Sequence, residues 1–574
     1  MTGTAPTNRE TDVLVVGSGA GGLTAAVAAA ALGLDVLVVE KASILGGTTA
    51  LSEGMIWIPG NAQARARGIA DSAEAALDYI SQAAGNAFER ERAARFVEAA
   101  PEMLDFMTEH SKARFILAAT SCDYLPDLPG ASTGGRALDP APYDGRQLGA
   151  DFVRLRRPLA TTQIFGGMSI SGTELGHYFK VFRSAGSTVL VARRLARYGW
   201  DRLCGRPRGT LIGNGNALVA RLLASLRARD VPVWEGAPVH RLLIEGGRVT
   251  GAEIATAGRS LTLRARRGVV LACGGFTASE EMKRRHYPHI RDGKNHTRLA
   301  PEANTGDGAR LAEAAGGWLN TALAQPAAWA PVSLVPQKDG GTVPYPHFID
   351  RNKPGFIIVD RHGRRFVNES DSYHLIVQAM IEACRADETV EAWVVADRPA
   401  IRRYGIGVVP PWPGRTGPHL RSGYLKAGDS LEALARACRI DPKGLAETVA
   451  RFNANALRGE DPDFARGLNA YNRANGDAGH HPNPALGPLA APPYYALRIV
   501  PGDLGTFYGL DTTPNAQVRD ANGVAIPGLY AVGNDMASVM GGAYIGAGIT
   551  IGAAMTFGYV AAKHMAAQEP QEIP

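Results

Sequence analysis

The apolar positions of this chain form short unbroken runs near its ends and looser patterns between them. Asp12–Val16, Asp35–Val39, Gly268–Ala272 and Gly528–Val532 each hold consecutive aliphatic residues. Such runs predict strands buried on both faces, as in a parallel sheet. Their wide separation implies one sheet assembled from distant parts of the chain. Leu23–Leu34, apolar and alanine-rich, predicts the crossover helix between the first two strands, too short to span a bilayer. Asn214–Arg229 has the pattern of an amphipathic helix. It leads into a strand at Val231–Trp234 and a hairpin around Glu245-Gly246-Gly247-Arg248. From Pro326 onward proline, glycine and aromatic residues become frequent. They peak at Val409-Pro410-Pro411-Trp412-Pro413-Gly414, which reads as an irregular surface loop. Helical patterns follow at Ser430–Arg439 and Lys443–Leu457. The expected organisation is a first domain over 1–325, an inserted α+β domain over 326–496, and a return to the first domain over 497–574.

The turn after the first strand reads Gly17-Ser18-Gly19-Ala20-Gly21-Gly22, and Glu40 ends the second strand with Lys41 beside it. Strand, glycine turn, helix, strand and acid in this order predict a dinucleotide site. Gly17 permits the tight turn, Gly19 lets a pyrophosphate approach the backbone, and Gly22 lets helix and sheet close together. The pyrophosphate would rest on amides at the helix N-terminus. Glu40 would accept hydrogen bonds from a ribose diol and repel a 2′-phosphate.

Composition narrows the choice of partner. The 574 residues are 45% hydrophobic and 20% charged, as in ordinary globular proteins of more than one domain. The net charge of +6 comes from scattered arginines. The one dense cluster, Arg264, Arg266 and Arg267, lies just before a predicted strand and reads as solvated surface, so no nucleic-acid partner is expected. The five cysteines, Cys122, Cys204, Cys273, Cys384 and Cys438, are far apart and form no CxxC or Cys/His cluster. That argues against a disulfide framework, a metal site, an iron–sulfur cluster or c-type haem. Met1–Glu10 is polar and lacks an apolar signal core, so the expectation is a cytoplasmic protein with no integral membrane segment.

Further glycine motifs accompany the first. They are Gly46-Gly47-Thr48-Thr49-Ala50-Leu51-Ser52 with Gly54, then Ala272-Cys273-Gly274-Gly275-Phe276 and Asn304-Thr305-Gly306-Asp307-Gly308. Gly533-Asn534-Asp535 and Gly541-Gly542-Ala543-Tyr544-Ile545-Gly546-Ala547-Gly548 close the series. Together they resemble the FAD flavoproteins of the fumarate reductase and 3-ketosteroid dehydrogenase superfamily. The resemblance implies an α/β fold: a Rossmann-like, glutathione-reductase-like FAD-binding domain with an inserted α+β capping domain and the flavin between them. It implies FAD contacts from Gly17, Gly19, Ala20, Gly21, Gly22, Glu40, Lys41, Gly46, Gly47, Thr48, Thr49, Ser52 and Gly54. Ala272, Gly274, Gly275, Asp307, Gly533, Asn534, Asp535, Gly548 and Ile549 complete the implied set, with Asp307 read as a structural acid of its loop. No histidine lies in 46–54, where the covalent-flavin branch carries one, so the FAD is expected to be non-covalent.

Two branches of the superfamily differ in the charge of their substrates. A dicarboxylate reductase needs arginines to clamp carboxylates. In that branch one arginine follows the Arg-Phe-Val-Asn-Glu motif. Here Arg365-Phe366-Val367-Asn368-Glu369 is followed by Tyr373, and Tyr544 stands where the second arginine belongs. Asp503-Leu504-Gly505-Thr506, the Tyr544 motif and Ala553–Tyr559 instead resemble the 3-ketosteroid dehydrogenases. That likeness implies desaturation beside a ketone, with an α-proton removed by a base and a β-hydride passed to flavin N5. Tyr544 and the Gly548 amide would donate to the ketone oxygen. Tyr124 resembles the supporting tyrosine and Tyr345 is the first choice for the base, with Tyr373 and Tyr178 (beside His177) as competitors. The substrate is expected to be a 3-ketosteroid desaturated at C1–C2. Phe507-Tyr508, taken to face the flavin, would shorten the pocket and favour a smaller cyclic ketone such as cyclohexanone. A quinone-type or other external acceptor would take the electrons. A fumarate reductase-like enzyme and a non-catalytic flavin-binding partner subunit are the remaining alternatives.

Overall fold

The computed structural model describes residues 8–169, 177–178, 184–256 and 259–570. Along the chain, β1 is Asn8–Val16, α1 Ala20–Ala31, β2 Val36–Val39 and α2 Asn214–Arg227. They are followed by β3 (Val233–Trp234), β4 (Val239–Glu245), β5 (Arg248–Thr256) and β6 (Arg259–Leu271). A second group comprises β7 (Ala327–Pro336), β8 (Thr342–Pro346), β9 (Phe356–Val359), α3 (Tyr373–Ala383), β10 (Ala392–Ala396), β11 (Leu425–Gly428) and β12 (Tyr494–Thr506). The chain then adds β13 (Gln517–Arg519), β14 (Ala525–Ala531) and α4 (Ile549–Ala566).

The first sheet has the order β13-β14-β6-β1-β2-β3, with the β4–β5 hairpin paired to β6. β14, β6, β1, β2 and β3 run parallel, with Val15 opposite Val270 and Val38. Val13, Leu14, Val15, Leu37, Val38, Val269 and Val270 are fully buried, which is why these runs lack polar alternation. One sheet face is covered by α1, which packs against both α4 and α2. The approach is close because the contact is made of small residues: a Cβ on Gly558 would lie 2.6 Å from the Gly21 carbonyl. α1 starts at Ala20, earlier than its apolar pattern, because the glycine turn is already helical there. It ends before Gly33, whose φ is +86°. β6 is longer than its apolar core because its first half also pairs antiparallel with β5.

The second sheet, β8-β7-β12-β10-β9 with β11 on β12, is antiparallel apart from the short strand Thr297–Arg298 beside Gly502 and Asp503. β12 runs through residue 496 without interruption. It meets β10 with its first half and β7 with its second. The core on this sheet also takes Phe276 and Tyr287 from the segment that follows β6. The patterns at 430–457 form helices Leu431–Cys438 and Pro442–Ala456, capped by Ser430 and Asp441. Among the described residues no helix is long and apolar enough to cross a membrane.

Candidate active site

The carboxyl ends of β1, β2, β6 and β14 open into a cavity of about 1060 Å³, whose other wall comes from the second sheet and its loops. Ligands of open parallel sheets bind at this edge. A Cβ on Gly17 would lie 2.1 Å from the Ala272 carbonyl, and one on Gly22 would lie 2.2 Å from the Gly17 carbonyl. A Cβ on Gly19, by contrast, would meet nothing closer than Thr49 Oγ1 at 3.8 Å. The first two glycines therefore let the backbone close on itself, and Gly19 presents bare backbone to the cavity. The Ala20 amide donates to Thr49 Oγ1 at 3.0 Å, tying the turn to the second glycine motif.

Glu40 lines the cavity with both oxygens engaged: Oε2 accepts from the Ser18 amide and hydroxyl, and Oε1 from the Ala42 amide. Lys41 reaches Thr305 and Asp307, and Asp307 also pairs with Arg310. This makes Asp307 the fixed acid of its loop, although it too reaches the cavity wall. Ala20, Gly21, Gly47, Thr48, Thr49, Ser52, Gly54, Ala272, Gly274, Gly533, Asn534 and Gly548 share that wall. Gly22, Gly46, Gly275, Asp535 and Ile549 stand behind it. Asp535 accepts from the amides of Cys273 and Gly275, and burial pushes its carboxyl up to about 6. It shapes the glycine loop without touching the cavity.

At the far end the cavity is lined by phenols. Tyr544 sits in a chain segment flattened by glycine. A Cβ on Gly546 would strike the Trp57 ring at 2.8 Å, and one on Gly542 would lie 2.6 Å from the Gln325 amide. The Tyr124 amide donates to the Ile545 carbonyl at 2.9 Å, which brings its ring against Tyr544, stacked at 5.7 Å. Tyr373 opens α3 just after the capping Ser372. Its hydroxyl lies 3.4 Å from that of Tyr124, and its ring meets Tyr544 edge-on at 5.1 Å. Tyr345, on β8, also lines the cavity; its ring is tilted against His347 at 5.1 Å, and it has no hydrogen bond to a phenol among the described residues. Burial raises all of these phenols. For Tyr544 the rise is tempered by hydrogen bonds with Tyr373 and Thr550. Gly548, with φ +92°, precedes α4 and leaves that helix's first amides at the cavity edge.

The geometry is a bare-backbone cradle joined to a chamber lined by phenols. A model of the FAD binding domain family matches residues 12–551. The chain belongs to that family. Among its relatives, 4-oxocyclohex-2-ene-1-carboxylate 5-dehydrogenase of Sinomonas cyclohexanicum is 40% identical over 97% of this chain and 93% of its own length. The 3-oxosteroid 1-dehydrogenase of Mycobacterium tuberculosis is 37% identical over 98% of this chain and 99% of its own. Among solved structures, the 3-ketosteroid delta1-dehydrogenase of Sterolibacterium denitrificans, in complex with 1,4-androstadiene-3,17-dione, superposes with a TM-score of 0.89. It is 37% identical and covers 97% of this chain and 100% of that one.

As a member of the FAD-binding family, the chain departs from several sequence expectations. Phe507 and Tyr508 do not face the cavity. Phe507 is 1% exposed and packs behind Tyr544 and His374, while Tyr508 packs on His286. Phe507 buttresses Tyr544, and neither residue lines the pocket. The proline-rich loop is a surface loop over 412–414, whereas Val408, Pro410 and Pro411 line the cavity. Tyr178 is not at the cavity wall, and His177 bonds to Ser187. Arg365 is buried against Glu369 and Asp461 and clamps the second core. Arg156 and Asn216 line the cavity without any motif to announce them, and Glu53 lines it from within the 46–54 glycine motif, where sequence reasoning assigned it no role. Arg156 and Glu53 occupy segments whose irregular backbone gives no periodic signal. Asn216 was legible only as part of the helix, and it holds the Ala50 and Arg156 carbonyls.

Proposed function

We propose that this protein is an FAD-dependent dehydrogenase that desaturates a cyclic ketone next to its carbonyl, a 3-oxosteroid at C1–C2 being the substrate that fits best. The reading is carried by the phenol trio Tyr124, Tyr373 and Tyr544, whose rings meet at the cavity wall; among the described residues the arginine of that wall, Arg156, interacts with Glu40 instead. The cradle fits FAD: bare backbone at Gly19 and Gly47, an acid at Glu40, and helix N-terminal amides for the diphosphate. Bound FAD supplies an acceptor for hydride. The domain plan that goes with it is a Rossmann-like FAD domain over 1–325 and 497–574 with a capping domain over 326–496. Non-covalent FAD, an external quinone-type electron acceptor and a cytoplasmic location belong to the same reading.

Tyr544 and the Gly548 amide donate to the ketone oxygen and so stabilise the enolate that develops when the α-proton leaves. Tyr373 takes that proton. The Tyr124 hydroxyl donates towards Tyr373 at 3.4 Å, so a neighbouring phenol supports the charge formed there. Tyr345, the first choice from sequence, lines the same cavity and has no hydrogen-bonded phenol among the described residues, which favours Tyr373. Burial among aromatic rings keeps water from the enolate. The relatives from Sinomonas support a smaller ring ketone as the second reading.

The test is anaerobic mixing of the holoprotein with 4-androstene-3,17-dione and with cyclohexanone. Bleaching of the oxidised flavin band supports the proposal. An unchanged spectrum with every cyclic ketone, together with reoxidation of reduced flavin by fumarate, would transfer the protein to the dicarboxylate branch.

A further inference from the structure

Glu53 stands apart from every other carboxylate at the cavity. Glu40 and Asp307 are engaged at the nucleotide end by Ser18, Ala42, Lys41 and Arg310. Glu53 has no ion pair or hydrogen bond among the described residues, yet it lines the same cavity and exposes its side chain there. The backbone leaves it little choice. The Gly54 amide donates to Ser52 Oγ at 3.0 Å, the Gly215 amide donates to the Ser52 carbonyl at 3.0 Å, and a Cβ on Gly54 would lie 2.5 Å from the Gly215 nitrogen. The turn is thus pinned on both sides of residue 53. Two residues on, the chain abuts the phenolic end of the cavity, where a Cβ on Gly548 would lie 2.6 Å from the backbone of Met55 and Ile56, and the Glu53 charge acts on Tyr124, Tyr345, Tyr471 and Tyr544. Among the described residues, the cations of the cavity wall lie elsewhere: Lys41 is tied to Asp307, and Arg156 interacts with Glu40. His419 is held towards its neutral form by burial.

We propose that Glu53 sets the charge class of the substrate, turning away ring ketones that carry a carboxylate and admitting uncharged ketones of the 3-oxosteroid kind. This rests on the ketone-desaturase reading above and sharpens it. A second anion brought into a chamber that holds an unpaired carboxylate and, among the described residues, no cation meets repulsion that water screens poorly. An uncharged carbonyl meets none. Burial and the neighbouring Asp139 raise the Glu53 carboxyl to about 7, so the barrier is itself titratable. Of the groups facing it, Asp139 is raised to about 6 by burial and gains its proton in the same direction. Tyr124, Tyr345, Tyr471 and Tyr544 are all raised and stay protonated throughout.

The experiment compares 4-oxocyclohexanecarboxylate with its methyl ester on the holoenzyme, each by the rate of anaerobic flavin bleaching, with 4-androstene-3,17-dione as a neutral reference. The wild type should favour ester over acid in kcat/KM by about tenfold or more at about pH 8.5, and Glu53→Gln should bring the ratio to within about twofold. Lowering the pH to about 6 should shrink the wild-type ratio, because Glu53 gains a proton while the substrate acid, with an ordinary carboxyl pKa, stays ionised. This arm decides the matter if the variant fails to fold. Equal use of acid and ester by the wild type, a ratio unmoved by Glu53→Gln, or a ratio unmoved by pH would overturn the proposal. Failure of every ketone to bleach the flavin would overturn the desaturase reading beneath it.

Discussion

A phenol and a guanidinium at the same point of a cavity select different substrates. With Tyr373 and Tyr544 in the places where a dicarboxylate enzyme needs arginine, a ketone oxygen can be held by neutral donors while its charge grows. Tyr544→Phe should keep FAD bound and lower kcat by about two to three orders of magnitude, from the loss of one donor in a dry site. Flavin content by absorbance and dye-coupled turnover measure the two effects, and unchanged turnover removes Tyr544 from the mechanism. Tyr373→Phe should suppress exchange of the ketone's α-hydrogen with solvent deuterium by about 100-fold or more. Tyr345→Phe should cost under about tenfold, and the reverse ranking would return the base to Tyr345. Asp535 gives a stability prediction. Its folded carboxyl sits near 6 against an ordinary 3.8, so the native state holds the proton more tightly and loses stability as pH rises through that window. Asp535→Asn should remove a pH dependence on the order of 2–3 kcal/mol in urea unfolding of the apoprotein between about pH 4 and 7. An identical slope in the variant would refute this.

At the scale of elements, the strand–turn–helix unit is held by atoms rather than by motif names. Gly22 is helical with no positive φ, so its substitution tests contact alone: the added methyl would press on the Gly17 carbonyl, Ala272 and Val15. Gly22→Ala should destabilise the apoprotein by about 1–3 kcal/mol and weaken FAD retention on desalting. Wild-type stability in that variant would mean that α1 has room to move off the sheet. The parallel strands were legible because residues such as Val15, Val38 and Val270 have no water on either side, so their runs are uninterrupted. The crossover helix was legible in kind but started too late in the sequence reading. Its first turn is made of the glycines that also form the loop, and helical propensity gives no warning of that. The 409–414 loop was legible as irregular, but not as part of the cavity wall.

At the scale of the molecule, the cavity is bounded by the parallel sheet on one side and the antiparallel sheet on the other, so a ligand there bridges the two. Removal of FAD should therefore lower the stability of the whole chain. With free FAD at 100 times its dissociation constant, mass action supplies about 2.7 kcal/mol, visible as a higher Tm in scanning calorimetry than for the apoprotein. Equal melting with and without FAD would deny that the cavity is the FAD site. The sequence by itself determined the nucleotide half, because adjacent residues build it: Gly17, Gly19, Gly22 and Glu40 are spaced by strand and helix geometry alone. It also offered Tyr373 and Tyr544 as phenols where the dicarboxylate pattern has arginines, since those positions fall in or beside short motifs. Only the tertiary structure decided which tyrosines meet. Tyr124, Tyr373 and Tyr544 are far apart in the chain, and the close contact of their rings follows from how α3 and the glycine segment before α4 pack. The same packing set Phe507 behind the site and Glu53 within it, because side-chain direction in an irregular segment is fixed by the surfaces that clamp it and not by any local period.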